Sequence, residues 1–201
     1  PYSTRALLHS GTSFVYLQSL FLDDSITIEP VILSMPRLQL TLERAHWCAS
    51  FLEPEQKTKW VRSIELEGRT IEHRLFRMAR DEAFTWETPS ELAGLRIAVL
   101  RSRQVNALRL LFKRMGLESV PINSAEQGVQ LLINGRADLV FYDLKSINYI
   151  LQLMSLPADL LQPSEKVLVT RRSKLWFNLR CDTAAHAYKL LAARWPHAVD
   201  N

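Results

Sequence analysis

The chain has 201 residues, 47% of them apolar and 23% charged, with 25 Lys and Arg against 21 Asp and Glu. Such a chain buries a real core, as one large domain or two small ones, and is no disordered polymer. No run approaches the ~18 apolar residues of a membrane span. The +4 charge is scattered, no Lys/Arg run exceeds two residues, and only 6 glycines are present; a nucleic-acid footprint and glycine-rich nucleotide loops are both disfavoured.

Residues 17–22 read as a short helix or the end of one. Residues 26–33 (ITIEPVIL) alternate and are rich in β-branched side chains, which predicts a strand. Pro36 suits a first helical turn, and the helix extends over 37–45 with Leu38, Leu40 and Leu42 among its apolar positions. Residues 46–51 (HWCASF) read as a compact apolar strand and 53–59 as a polar loop. Two more strands are expected at 60–67 and 72–78, the first ending at Gly68.

The composition shifts at 85–90, where Thr88 or Ser90 can cap a short turn over 91–94. Residues 95–100 (LRIAVL) predict a buried strand of the parallel type. Ser102 then caps a helix to about Met115, and Gly116 ends it. A strand at 119–122 follows. Ser124 starts the next helix with Gln127 at capping-box spacing, and Gly135 closes it after Asn134. Residues 137–142 form a strand ending at Asp143, and 144–153 a helix. Strands at 166–170 and 175–180 and a helix over 183–194 complete the chain. The alternation from 95 to 170 predicts an α/β fold with a parallel-rich sheet and helices on its faces. The first 85 residues alternate more loosely, so two α/β lobes are expected, joined near 85–89 and 170–174.

Cys48 and Cys181 are too few for a disulfide scaffold. They form either one bridge, in an oxidising compartment, or two buried thiols, and the thiol reading is preferred. His46 and Cys48 share one strand face but lack further ligands, so no metal site and no cofactor is expected. There is no GxSxG, HExxH, P-loop or GxGxxG. A Cys48–His46 nucleophile pair would lack an orienting third group, and the expectation is a protein that is not an enzyme. The chain starts at Pro1 with no initiator Met, basic n-region or apolar h-region; a processed or trimmed product is expected, its signal segment not present in this chain.

The run Glu91-Leu-Ala-Gly-Leu-Arg-Ile-Ala-Val-Leu-Arg-Ser resembles the "dL.G.riGv..gs" segment of type 2 periplasmic solute-binding proteins. Met115-Gly-Leu-Glu, Ser124-Ala-Glu-Gln, residues 132–140 (LINGRADLV) and Tyr142-Asp143 follow at the family's distances. Upstream, Pro54-Glu55 with Trp60-Val61 resembles its "TPER" segment, and Pro1-Tyr2 the "PPY" after its first strand. The similarity is to the amino-acid-binding-like group, family 3, with a degenerate ligand motif. It implies two α/β lobes with a hinge of two crossing strands, the ligand enclosed between them. Lobe one would be 1–86 plus 172–201 and lobe two 87–171, with the family's first strand missing or very short before Pro1. The implied function is extracytoplasmic, periplasmic capture of a small polar solute, with an anionic group favoured, for an ABC-type membrane transporter. The alternatives are a ligand-sensing domain of a membrane signalling protein and, third, an enzyme on the same fold. No nucleic acid and no direct membrane insertion are expected.

In amino-acid-binding members an Arg of the "PER" segment clamps the ligand's carboxylate. Gln56 stands at that position here and cannot supply the charge. Asp143 matches the carboxylate that meets an α-ammonium group; it fits the N-cap of the following helix equally well. Arg101, Ser102 and Arg103 precede a helix start, where backbone amides and the dipole favour an anion. Arg103 is the candidate replacement for the lost clamp; otherwise both arginines are solvated helix-start residues. Tyr2, Phe14, Ser50 and Phe51 are candidate ligand contacts on lobe one. Asn123, with Ser124, and Tyr142 are candidates on lobe two, and Trp60 is an alternative wall. Each aromatic also fits ordinary core packing.

Overall fold

The computed structural model describes residues 12–22, 26–44, 47–101 and 107–196. In chain order the elements are α1 (Thr12–Leu20), α2 (Met35–Glu43), β1 (Ala49–Ser50), β2 (Val61–Met78), β3 (Arg96–Leu100), α3 (Ala107–Arg114) and β4 (Glu118–Ile122). They continue as α4 (Ala125–Ile133), β5 (Leu139–Asp143), α5 (Leu144–Leu153), β6 (Leu161–Pro163), β7 (Val169–Asn178) and α6 (Asp182–Arg194). Two compact units result, Pro1–Ile71 with Arg172–Asn201, and Glu72–Arg171. The chain passes from one to the other inside β2 and returns inside β7. Residues 72–86, expected with lobe one, fall in the second unit.

In the first unit β1, β7 and β2 are successive neighbours. β1 runs antiparallel to β7, with Ala49 opposite Phe177 and Ser50 opposite Trp176. Leu17 and Phe21 pack with Ile64 and Leu66 of β2, Leu175 and Phe177 of β7, and Ala184, Ala187 and Leu191 of α6. Residues 26–33 form no strand. Ile26 and Ile28 still pack on this core, while Val31 is 70% exposed. Pro30 interrupts the run and offers no N–H to a ladder, so alternate residues are half-buried without a strand forming.

Three further expectations are corrected here. Of residues 47–51 only Ala49 and Ser50 form a strand, and His46 lies outside the described residues. The two expected strands around Gly68 are one strand, β2, because glycine accepts extension as readily as a turn. Residues 169–178 are likewise continuous in β7.

Cys48 and Cys181 form a disulfide, against the preferred thiol reading. Backbone pairing brings them together. The Asn178 N–H donates to the Cys48 carbonyl at 2.9 Å, and the Cys181 N–H to the Asn178 carbonyl at 3.0 Å.

In the second unit β3 lies between β4 and β5 and is parallel to both. The C-terminal half of β2 pairs antiparallel with β5 and also with β6, an edge strand the sequence reading did not contain. Side chains alternate between two cores, as a pleated strand requires. Phe76, Ala98, Ile122 and Val140 pack with Val129 of α4 and Ile147 and Leu151 of α5. Leu75, Ile97 and Leu139 pack with Phe84, Trp86 and Phe112 of α3. Gly128 lets α4 sit directly on the sheet: a Cβ there would lie 2.9 Å from Ile122 Cδ1 and 3.3 Å from Val140 Cγ1. Gly116 follows α3 with φ 72°, the left-handed position a glycine serves at a helix end.

Arg96 and Asp138 join β3 to the start of β5. The Arg96 N–H and Nε–H donate to Asp138 Oδ2 at 2.8 and 3.0 Å, and Nη2 donates to Oδ1 at 2.9 Å. These bonds hold the Asp138 carboxyl below the usual aspartate range, outweighing its partial burial. A carboxyl depressed in the folded state stabilises above its unfolded pKa, and the gain is lost as pH falls through the folded value. Asp138→Asn is therefore expected to lower the melting temperature at neutral pH. The gap to the parent should close as pH falls below about 4, the unfolded aspartate value. Melting curves across that range check it; a gap independent of pH would remove the ionic contribution.

Candidate functional site

The parallel strands of the second unit are short apolar runs that end in polar residues: Arg101 after β3, Asn123 after β4, Asp143 closing β5. Leu100 is level with Ile122, and the Arg101 N–H donates to the Ile122 carbonyl at 2.8 Å, which sets Arg101 beside Asn123. Ile97 is level with Leu139 and Ala98 with Val140; that register, carried three residues on, sets Arg101 level with Asp143. Across the antiparallel pair, His73 of β2 stands directly opposite Asp143. With the β3–β5 register so extended past its last paired residues, Asn123, Arg101, Asp143 and His73 fall at one level across the neighbouring strands β4, β3, β5 and β2. This row lies at the carboxyl ends of the parallel strands, where ligands bind in open α/β sheets.

Each member is held locally. Asp143 is buried, and its Oδ1 accepts the Ser146 N–H at 3.0 Å, capping α5. Its capping role is thus present. The Asn123 N–H donates to Gln127 Oε1 at 2.7 Å, and Ser124 Oγ accepts the Gln127 N–H at 3.3 Å. The glutamine reaches back one residue beyond the capping box expected for it. The His73 ring stacks on Phe141 at 5.0 Å, and Phe141 meets Phe112 edge-on at 5.4 Å. The His73 carbonyl accepts the Leu168 N–H at 2.9 Å. Arg101 is exposed.

Tyr142 points the other way. It packs against the core under α4 and α5, and burial, with Glu126 adding, pushes its hydroxyl well above the usual phenol range. Phe14 and Phe51 meet edge-on at 5.8 Å and pack on the first unit's core. Ser50 is buried, and its Oγ accepts the Leu52 N–H at 2.9 Å. Gln56 is exposed, beside a 2.7 Å ion pair of Lys57 with Glu53. Trp60 is exposed, with the Lys59 ammonium 5.2 Å and the Arg180 guanidinium 5.8 Å from its ring centre. Tyr2, Ser102 and Arg103 lie outside the described residues.

The second unit thus gathers three of the expected residues, Arg101, Asn123 and Asp143, in one row. His73 was missed because nothing in its local sequence marks it; only the pairing of β2 with β5 places it there. Among the described residues no group of three or more His, Cys, Asp and Glu could hold a metal ion. None of the described helices is long and apolar enough to cross a membrane.

No protein-family model matches the sequence, and no curated protein matches it. Solved structures do resemble it. The GluR0 ligand-binding core from Nostoc punctiforme in complex with L-glutamate aligns at TM-score 0.69 and 12% identity, over 98% of this chain and 90% of that one. Holo ArgBP from T. maritima aligns at 0.66 and 14%, over 96% and 88%. AbpA from Streptococcus pneumoniae, an amino acid ABC transporter substrate-binding protein bound to L-arginine, aligns at 0.67 and 10%, over 92% and 78%. At these identities the likeness is one of fold, and the chain has the α/β fold of the two-lobe periplasmic binding proteins.

Proposed function

We propose that this chain is a non-catalytic, extracytoplasmic solute-binding domain whose ligand engages the strand-end row of the second unit, for delivery to a membrane transporter. The arrangement that carries the reading is Arg101, Asn123 and Asp143 at the carboxyl ends of the parallel strands, with His73 of the antiparallel β2 directly opposite Asp143. Arg101 offers a cation to an anionic group, and Asp143 an acceptor to a donor group. The ligand class is a small polar solute carrying an anionic group. Three further observations support the reading. The similar solved structures are binding modules. The Cys48–Cys181 bridge suits an oxidising compartment. Gln56 lies on an exposed turn and supplies no charge, which disfavours the usual clamp on an α-amino acid.

The test is a thermal-shift screen with amino acids, small organic acids, polyamines and sulfate, followed by titration of any hit. A ligand at ~100 times its Kd adds about 2.7 kcal/mol, a shift of several degrees. Arg101→Ala is expected to weaken an anionic hit by more than tenfold, the scale of a lost charge-assisted contact. Asp143→Asn should weaken amine-bearing hits and spare purely anionic ones. A panel without a hit, or a hit indifferent to both substitutions, overturns the reading.

A further inference from the structure

We propose that His73 and Asp143 act as a proton-operated pair that sets the charge of the strand-end row, so that the second unit holds an anion more tightly as pH falls. The inference rests on the row being the ligand site. The two residues are directly opposed across the β2–β5 pair. Such partners on one face of an antiparallel pair stand with their Cβ atoms about 5 Å apart. Neither is loose: the imidazole is stacked on Phe141, and the carboxylate is buried and caps α5. With a neutral imidazole, Arg101 and Asp143 cancel and the row is formally neutral. Protonation of His73 adds one positive charge to the row.

Among the described residues, the register sets Asp143 as the anion opposite His73. On β2 itself, Glu72 and Arg74 lie on the opposite face by the strand's alternation, and are paired with each other at 3.2 Å. β5 contributes Asp143, and the loop after β3 contributes Arg101. α3, which packs on the same core as Phe141, carries Arg109, Lys113 and Arg114 at exposed positions. The segment before β7 carries Lys166, whose ammonium sits 5.9 Å from the Trp86 ring. His73 also stands one residue past the first crossing, at Ile71 and Glu72. Its charge therefore changes within the strand that runs from one unit into the other.

Two measurements on the full chain test the proposal. In the first, the His73 ring resonances are assigned with His73→Gln and titrated by NMR in the parent and in Asp143→Asn; asparagine keeps a competent N-cap, so the fold is retained. Removing the facing carboxylate is expected to lower the His73 pKa by about one unit. An unchanged His73 pKa overturns the pair. In the second, sulfate, whose charge is constant over this range, is titrated at about pH 5.5 and pH 7.5, on either side of an imidazole's ordinary pKa. Affinity at least fivefold higher at the lower pH is expected, with the difference lost in His73→Gln. Should the NMR shift appear while sulfate binds at neither pH, the pair stands, but the row is no anion site and the control of affinity is overturned. If sulfate binds without any pH dependence that His73→Gln removes, the row is a binding site and the switch is overturned.

Discussion

Replacing Cys48 and Cys181 with serine is expected to lower the stability of the first unit by about 4–5 kcal/mol, the scale of loop closure by a long-range bridge in the chain-entropy model. The cysteines are separated by 133 residues, and the closed loop contains the entire second unit. If that unit stays folded while the first unfolds, its two ends remain tied together. The freely fluctuating part of the loop then shrinks to a few tens of residues. The cost follows the logarithm of loop length, so it falls only to about 3.7 kcal/mol, just below that range. The bridge also anchors structure directly. Cys181 is the residue before α6, and Cys48 adjoins β1, the two-residue strand at the edge of the first unit's ladder. Amide hydrogen exchange resolves the outcome by unit. Protection is expected to fall in β1, β7 and α6 of the double-serine variant, and on reduction of the parent, while β3, β4 and β5 keep theirs. Equal loss in both units would mean that they unfold together. No loss in either would mean that the bridge contributes nothing.

Phe112→Ala is expected to cost about 3–5 kcal/mol, the usual range for emptying a buried phenylalanine site. Phe112 has no exposed surface and is wedged among Leu75, Phe84, Ile97, Met115 and Leu139. Leu75, Ile97 and Leu139 sit on central strands and Phe84 on the segment before β3, elements that cannot easily close on the void; Met115 directly follows α3 itself. The consequence extends to the row. Phe112 supports Phe141 edge-on, and Phe141 carries the His73 ring. The variant is therefore expected to lose protection in the second unit and to broaden the His73 resonances, even where it remains folded. Denaturant titration gives the stability change. A loss below about 1 kcal/mol, far under the buried-aromatic range, would show that Phe112 is not central to this core.

Much of the second unit was readable from residue order because its signals are local. LRIAVL has the apolar density of a doubly covered strand. Ser124 and Asp143 each carry an oxygen able to hold an N–H two or three residues on, and Gly116 can take the left-handed turn. These are properties of a few neighbouring residues, and all three helical boundaries formed where they were expected. The first unit was harder for a physical reason. Residues 26–33 have the alternation of a strand, but a strand also needs a partner ladder, and Pro30 withholds a donor. Gly68 has the composition of a stop, yet extended backbone tolerates it once neighbours pair on either side.

The order of residues alone established an α/β chain with two lobes, a parallel core in the second, and polar residues at the ends of its strands. Long-range pairing settled the rest. The choice between thiols and a disulfide turned on the ladder that brings Asn178 against Cys48. Tyr142 and Asp143 are adjacent in the chain, yet the pleat sends one into the α4–α5 core and leaves the other in the row. His73 and Asp143, 70 positions apart in sequence, become neighbours through the register of β2 on β5. Local chemistry selects elements and their ends; which side chains meet across a sheet is a property of register, and register is set by the burial of both faces at once.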